Sequence, residues 1–406
     1  FIDYDTWVPP VDIIIHEVDG LDSFVSDFNS NEIWVYVLHW LKPYLSRHEM
    51  KPVIGHIHTM YDQHPNVHIL ADYGHESHLP GSMGYAFHRQ FPFYDESKYV
   101  LCNVSLLNKN VASKTDVENL DSELRPKFKK IVPCFHYVTK IVPETGKIRD
   151  AKKIGFLKDF PLATRPGKDL AVNDKNEHNN IMFKYLIPNR VGRKSRRMFI
   201  VELDKRGLLT DTEWSMIYPD GNPDSPWDYD DEYKERFGSH RKTMSRPYHI
   251  WSGERGANHV DQRLPYSLAC NTICYVALET YPTYFDQEES TRLLNFADDP
   301  SEPVVVLDVS EKSIKPFTYG IVPFILGRPG LVDRWRELGM WLPGDYGNEE
   351  DLTDRINAMI DAMEKFCNEE LPISKDVCKK IKNNQDLILS LEFHYKLSKE
   401  LFEAFL

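Results

Sequence analysis

A Ser-Glu-Lys triplet occupies residues 310–312, inside the stretch DVSEKSIKPFTYGIVPFILGRPG at 308–330. The run VVVLDV (304–309) reads as a buried strand, Ser310 as the cap of a following helix and Gly320 as its stop, which makes a β-α-β unit. A helix start carries unpaired N–H groups and partial positive charge, so it favours an anion. Lys312 and Lys315, one turn apart, add cationic charge there. Glu311 would repel an anion unless its carboxylate accepts hydrogen bonds from a neutral diol beside it. A nucleoside diphosphate offers that pairing, with ribose hydroxyls for Glu311 and phosphates for Lys312. The alternative is an i,i+4 ion pair of Glu311 with Lys315 on a solvated helix.

A second cluster, NRVGRKSRR at 189–197, crowds Arg190, Arg193, Lys194, Arg196 and Arg197 behind an apolar run. Guanidinium forks suit phosphate oxygens, and the carboxyl end of a strand is where open α/β sheets take ligands. A solvated helix start and a nucleic-acid patch are the competing readings. Acidic and imidazole groups gather in two places in the first half: His16 and Asp19 in HEVDG, and Asp72, His75 and Glu76 in DYGHES. Asp72 follows the apolar VHILA and precedes Tyr-Gly, so it is the first candidate for a general base, with Glu76 and Asp19 next and His75 as an option if neutral.

Metal chemistry has weaker support. Asp228-Tyr229-Asp230-Asp231 follows GNPDSPW, which reads as a loop, whereas a metal-binding Asp-x-Asp is expected after an apolar strand. His56, His58, His64, His68, His75 and His78 crowd one region without HExxH or Cys/His spacing, so they read as strand and loop histidines. The expected metal set is none.

These groups need elements to hold them. VDIIIHEVDG (11–20) reads as a strand, NEIWVYVLHWLKPYL (31–45) as a helix, and KPVIGHI (51–57) and NVHILADYG (66–74) as strands. Strand–helix alternation predicts a parallel sheet. In the second half FKYLIPNR (183–190) and EWSMIY (213–218) read as strands around a helix RRMFIVELDKRGLL (196–209) with an Arg-Gly stop. DLTDRINAMIDAMEKFC (351–367) and the final 384–406 read as helices, the last with one apolar face. The domain reading is therefore an N-terminal domain over 1–180, irregular from 104 to 180, a second domain over 181–383, and a helix over 384–406 that crosses back to the first.

The 406 residues allow two cores, and 41% apolar residues with 12% aromatics is a globular composition. A net charge of −13 argues against a surface that grips a nucleic-acid backbone throughout, though not against a local basic cleft. Six scattered cysteines predict reduced thiols, and no apolar run approaches a membrane span. The expectation is a cytoplasmic chain, in the host cytoplasm if the protein is viral.

Taken in order, the Asn-Arg strand with spaced arginines, the L-x-x-R-G-L-L helix, an apolar strand ending in Glu-Thr, S-E-K-x-x-K-P, and P-G-x-x-x-x-x-R-x-L-G resemble the C-terminal half of phage- and large-virus-type glycosyltransferases. The S-E-K part is also similar to the donor-binding segment of the α1,3-fucosyltransferase family. The resemblance covers about residues 181–345. It implies an α/β fold of GT-B type, two Rossmann-like domains facing a cleft, and a metal-independent, inverting transfer of a sugar from a nucleotide-diphosphate donor to a hydroxyl, with a glycan as acceptor. It also implies that Glu311 holds the ribose, that Lys312 with Arg193 and Arg197 holds the diphosphate, and that Glu279 and Thr280 line the cleft. The family's Arg-x-His-Arg is here Arg193-Lys194-Ser195-Arg196-Arg197, which leaves open which arginine meets phosphate. A transferase acting on a modified base of phage DNA and a non-catalytic nucleotide- or sugar-binding module are the alternatives.

Overall fold

The computed structural model describes residues 9–18, 31–39, 47–73, 95–103, 129–133, 141–143, 147, 151–154, 183–192, 194–218, 231–238, 272–279, 311–371 and 373–406. The chain is α/β and divides into two compact units. One holds Phe1–Gly155, Tyr284–Val309 and Ser390–Leu406, the other Phe156–Thr283 and Ser310–Leu389.

In the first unit, strands β1 (Asp12–Glu17), β2 (Glu32–His39), β3 (Val67–Tyr73), β4 (Tyr99–Asn103) and β5 (Lys130–Pro133) form one sheet in the order β1-β2-β3-β4-β5, parallel throughout. Two sequence expectations are corrected here. Residues 32–39 are a strand rather than a helix, because Trp34, Val35, Tyr36, Val37 and Leu38 are a continuous β-branched and aromatic run buried on both faces. Residues 51–57 belong to helix α1 (Arg47–Gln63) rather than a strand, because Val53, Ile54 and Ile57 recur at helical spacing and are almost fully buried.

A right-handed crossover puts helix α1, which joins β2 to β3, on one face of this sheet, where its His58 Nε2 meets the Tyr99 hydroxyl at 2.8 Å. The opposite face, made by Ile13, Val35, Val37, Leu70, Val100 and Val132, needs another cover, and the end of the chain supplies it through Tyr395, Leu401, Phe402 and Phe405. A single helix over 384–406 is not what forms. The chain leaves α7 (Lys375–Leu389), turns at Ser390, and continues as α8 (Leu391–Leu397) and α9 (Lys399–Glu403). The Ser390 hydroxyl accepts from Phe393 N at 3.1 Å, a local bond that competes with the helix ladder and starts a new helix.

Within 104–180, which the sequence marks as irregular, β5 joins the sheet and β6 (Ile141–Pro143) pairs antiparallel with β7 (Ala151–Ile154). Lys147, between them in sequence, bridges Glu32 at 2.6 Å and Asp12 at 2.9 Å, fastening this segment to the amino ends of β2 and β1.

His68, on β3, is 9% exposed and packs against the Phe405 ring, 5.6 Å between centroids. Burial, helped by the Lys129 charge, lowers its pKa from 6.5 to about 4. The native state therefore holds it neutral while the unfolded chain protonates it below pH 6.5. Its stabilising contribution is complete above that pH and falls away as pH drops to about 4, with about 3 kcal/mol at stake at 1.36 kcal/mol per pKa unit. Denaturant titrations at pH 7 and pH 5 should show this loss in the wild type, and His68→Gln should flatten the difference.

In the second unit, β8 (Phe183–Val191), β9 (Thr212–Tyr218), β10 (Thr272–Leu278) and β11 (Val322–Leu326) form a parallel sheet in the order β11-β10-β8-β9. Every residue of β10 is buried, as a central strand covered on both faces must be. Helix α2 (Lys194–Lys205) follows β8, α3 (Asp231–Phe237) packs beside it, and α4 (Glu311–Tyr319) precedes β11. After β11 come α5 (Leu331–Glu337), α6 (Leu352–Glu369) and α7. The α6 start is fixed by Asp351, whose carboxylate accepts from Thr353 N at 2.7 Å and Asp354 N at 3.1 Å. Gly207 (φ 70°) ends the α2 turn where the sequence places an Arg-Gly stop. Cys274, Cys367 and Cys378 are free thiols. Among the described residues, no helix is long and apolar enough to cross a membrane.

Candidate functional site

The strand order of the second sheet selects the site. From β8 the chain moves outward to β9, and from β10 it moves the opposite way to β11. Right-handed crossovers then place the two connecting helices on opposite faces. Helix α2 packs with α6, and α4 packs with α7. The strand order thus reverses between β8 and β10, and open α/β sheets bind ligands at the carboxyl edge beside such a reversal. The first sheet, with its strands in sequential order, has no such reversal among the described residues.

The β8 side of this edge carries Asn189, 2% exposed, whose Nδ2 has no hydrogen-bond partner. A buried amide donor left in this state is uncommon, and at the rim of a ligand crevice it is available to a polar guest. Ser215 on β9 donates its hydroxyl to the Asn189 carbonyl at 2.9 Å, which fixes the backbone there. One turn on, α2 opens with Lys194, Ser195, Arg196 and Arg197 and has no acidic residue in its first turn. Arg196 and Arg197 are 3% and 1% exposed. Two guanidinium groups at a helix start oppose the helix dipole, which prefers anions there. Together they place two buried guanidinium groups at this edge. Arg196 Nη2 donates to the Leu278 carbonyl at 3.1 Å, so the first turn of α2 is strapped to the end of β10 across the reversal point.

The β10 side carries Glu279, fully buried. Its backbone N–H donates to the Leu326 carbonyl at 2.9 Å, continuing the ladder to β11, and its carboxylate accepts from the Ser313 hydroxyl. That bond pins the first turn of α4 to the end of β10. Lys312 is half-buried in that turn and Lys315 is buried. Gly320 (φ 63°) ends α4, and Gln385 Nε2 donates to the Thr318 carbonyl at 2.9 Å, so α7 holds the helix from its other end.

The sequence-derived residues thus fall into three groups. Lys312, Lys315, Glu279 and Arg197 stand at or next to the carboxyl edge of the second sheet. Glu311 opens α4, Arg190 lies in β8 and Asp72 in β3, each with a side chain outside the described residues. Asp19, Glu76, Arg193 and Thr280 lie wholly outside them, as do the strand expected at 304–309 and its cap Ser310. The Asn189 amide and Arg328 are not among the sequence-derived candidates, whereas Arg196, read there as part of the basic cluster, is the arginine that reaches β10. Arg328 follows β11 at the same edge and is 1% exposed. A signal for the close turn lies in GRPG: a Cβ at Gly327 would sit 2.2 Å from the tip of the Leu331 side chain, which would have to move aside.

Among the described residues no group of three or more His, Cys, Asp or Glu side chains could hold a metal ion. Asp228 and Asp230 lie outside the described residues, and Asp231 opens α3. Comparison with family models, with curated proteins and with solved structures found no match.

Proposed function

We propose that the protein is a glycosyltransferase of GT-B type that takes a sugar from a nucleotide-diphosphate donor held by the second unit and transfers it to a hydroxyl, with a glycan as acceptor. The observation that carries this reading is the reversal of strand order between β8 and β10, because it gathers one basic helix start, one buried carboxylate and one lysine-bearing helix start on a single sheet edge. A sheet edge bearing arginine and lysine with a carboxylate nearby suits a diphosphate joined to a ribose. Lys312 and the arginines of 190–197 meet the phosphates, and Glu311 meets the ribose hydroxyls. Leaving-group charge develops on the diphosphate as the anomeric carbon–oxygen bond breaks, so the same cations stabilise the transition state more than the bound donor. No bound metal is needed for that role. The acceptor's proton is taken in the first unit, at the carboxyl edge of its sheet, where Asp72 stands and where Glu76 and Asp19 follow strands in sequence.

The reading is tested by thermal shift against UDP-, GDP-, CMP- and TDP-linked sugars. A donor at 100 times its Kd should add about 2.7 kcal/mol of stability. The absence of a shift with every nucleotide sugar would reject the proposal, and steeply salt-dependent binding of duplex DNA would favour the base-modifying alternative.

A further inference from the structure

Alternate residues of a strand share one face of its sheet, and in β8 this groups Tyr185, Ile187 and Asn189. The Tyr185 hydroxyl donates to the Met363 carbonyl of α6 at 3.4 Å, so this is the face that α6 covers, with α2 packed against α6. On β9 the partners of Ile187 and Asn189 are Trp214 and Met216, and Trp214 meets the Phe237 ring of α3, 5.5 Å between centroids. The Asn189 side chain is therefore directed to the layer of α2, α3 and α6. The β8 to β10 register, carried on from Leu186 and Tyr275, sets Leu278 beside Asn189, and Leu278 pairs with Leu326 on β11. Met216, Leu278 and Leu326 are buried apolar side chains, so Asn189 is the one polar member of this last row. Its buried Nδ2 has no partner, a state that costs stability and that a leucine would avoid. Arg196, in the first turn of α2, donates to the Leu278 carbonyl at 3.1 Å, so the helix start reaches the same row.

We infer that Asn189 recognises the outer phosphate of a nucleoside diphosphate, its Nδ2–H donating to a non-bridging oxygen beneath the first turn of α2. This deepens the glycosyltransferase reading and rests on it. The groups gathered here are donors: the Asn189 amide, the Arg196 guanidinium, and the backbone N–H groups that a helix start leaves outside its own ladder. A guest that meets only donors needs acceptor oxygens and gains from negative charge. A phosphate has both, whereas a hydroxyl would leave its own proton unpaired. The Glu279 carboxylate does not oppose it, because the Ser313 bond turns that group to α4 on the other face of the sheet. With the ribose at Glu311 and the inner phosphate at Lys312, the diphosphate runs across the strand-order reversal and ends at Asn189. A nucleoside monophosphate ends at Lys312 and gains nothing from the amide.

Calorimetric titration of the wild type and Asn189→Leu with pyrophosphate and with uridine, guanosine and thymidine mono- and diphosphates tests this. Asn189→Leu should weaken pyrophosphate and the diphosphate by about ten- to a hundredfold and leave the monophosphate unchanged. Its melting temperature without ligand should equal or exceed that of the wild type, because leucine suits the apolar row. Asn189→Asp, which keeps the shape and replaces the donor by a carboxylate, should weaken the diphosphate further still. Unchanged diphosphate affinity in Asn189→Leu, equal loss for mono- and diphosphate, or a clearly lowered melting temperature would overturn the inference. Each leaves the glycosyltransferase reading standing if the wild type binds a nucleotide sugar. Pyrophosphate binding that depends on Asn189, in a protein that takes no nucleotide sugar, would keep the phosphate site and remove that reading. Binding of neither would remove both.

Discussion

Truncation before Ser390 should leave the first unit unable to fold, and Phe402→Ala alone should cost it about 3–5 kcal/mol. The sheet face formed by Ile13, Val35, Val37, Leu70, Val100 and Val132 is covered by Tyr395, Leu401, Phe402 and Phe405, of which Phe402 is fully buried. Burying four such side chains contributes about 1.5–3 kcal/mol each, comparable in sum to the whole net stability of a domain. Among the described residues helix α1 contributes nothing to this cluster, so it provides no substitute. Urea titration of Phe402→Ala should show the early loss of one transition, and the truncated chain should bind a hydrophobic dye. A Phe402→Ala protein within about 1 kcal/mol of wild type would mean that the C-terminal helices do not hold this face.

Lys312→Ala should weaken a nucleoside diphosphate by about ten- to a hundredfold while leaving the fold almost unchanged. Lys312 lies half-buried in the first turn of α4, which the Ser313–Glu279 hydrogen bond fixes against the end of β10. A hydrogen bond from an ammonium to phosphate contributes about 1.5–3 kcal/mol, and each 1.4 kcal/mol is a factor of ten in Kd. Calorimetric titration should show the loss for the diphosphate and a much smaller one for the nucleoside. Equal loss for both would place Lys312 away from the phosphates and return it to a helix-surface role.

The sequence was most informative where one physical rule acts alone. The runs 183–190 and 213–218 are strands because short β-branched and apolar segments bounded by polar residues have few other options, and Gly207 and Gly320 stop helices because both need positive φ. It misled where two periods overlap. WVYVL in 34–38 fits a helix face as well as a doubly buried strand, and the VI-G of 53–55 reads as a strand until Ile57 supplies the fourth-residue contact. The break at Ser390 was hidden because α7, α8 and α9 share good helix formers and only a serine cap divides α7 from α8. At the candidate site, composition alone brought out the charged residues of 189–197 and 310–315. What it could not give was strand order, and strand order is what brings Arg196 of α2 to the Leu278 carbonyl at the end of β10. Register and crossover direction are tertiary outcomes, fixed by which faces become buried rather than by any local signal.

Hydrogen exchange with and without a saturating nucleoside diphosphate tests the central claim most directly. The account predicts slowed exchange in three segments of the second unit, 189–197, 277–280 and 311–316, with the first sheet unchanged. Protection confined to the carboxyl ends of β1–β5, or none at any nucleotide concentration, would contradict it.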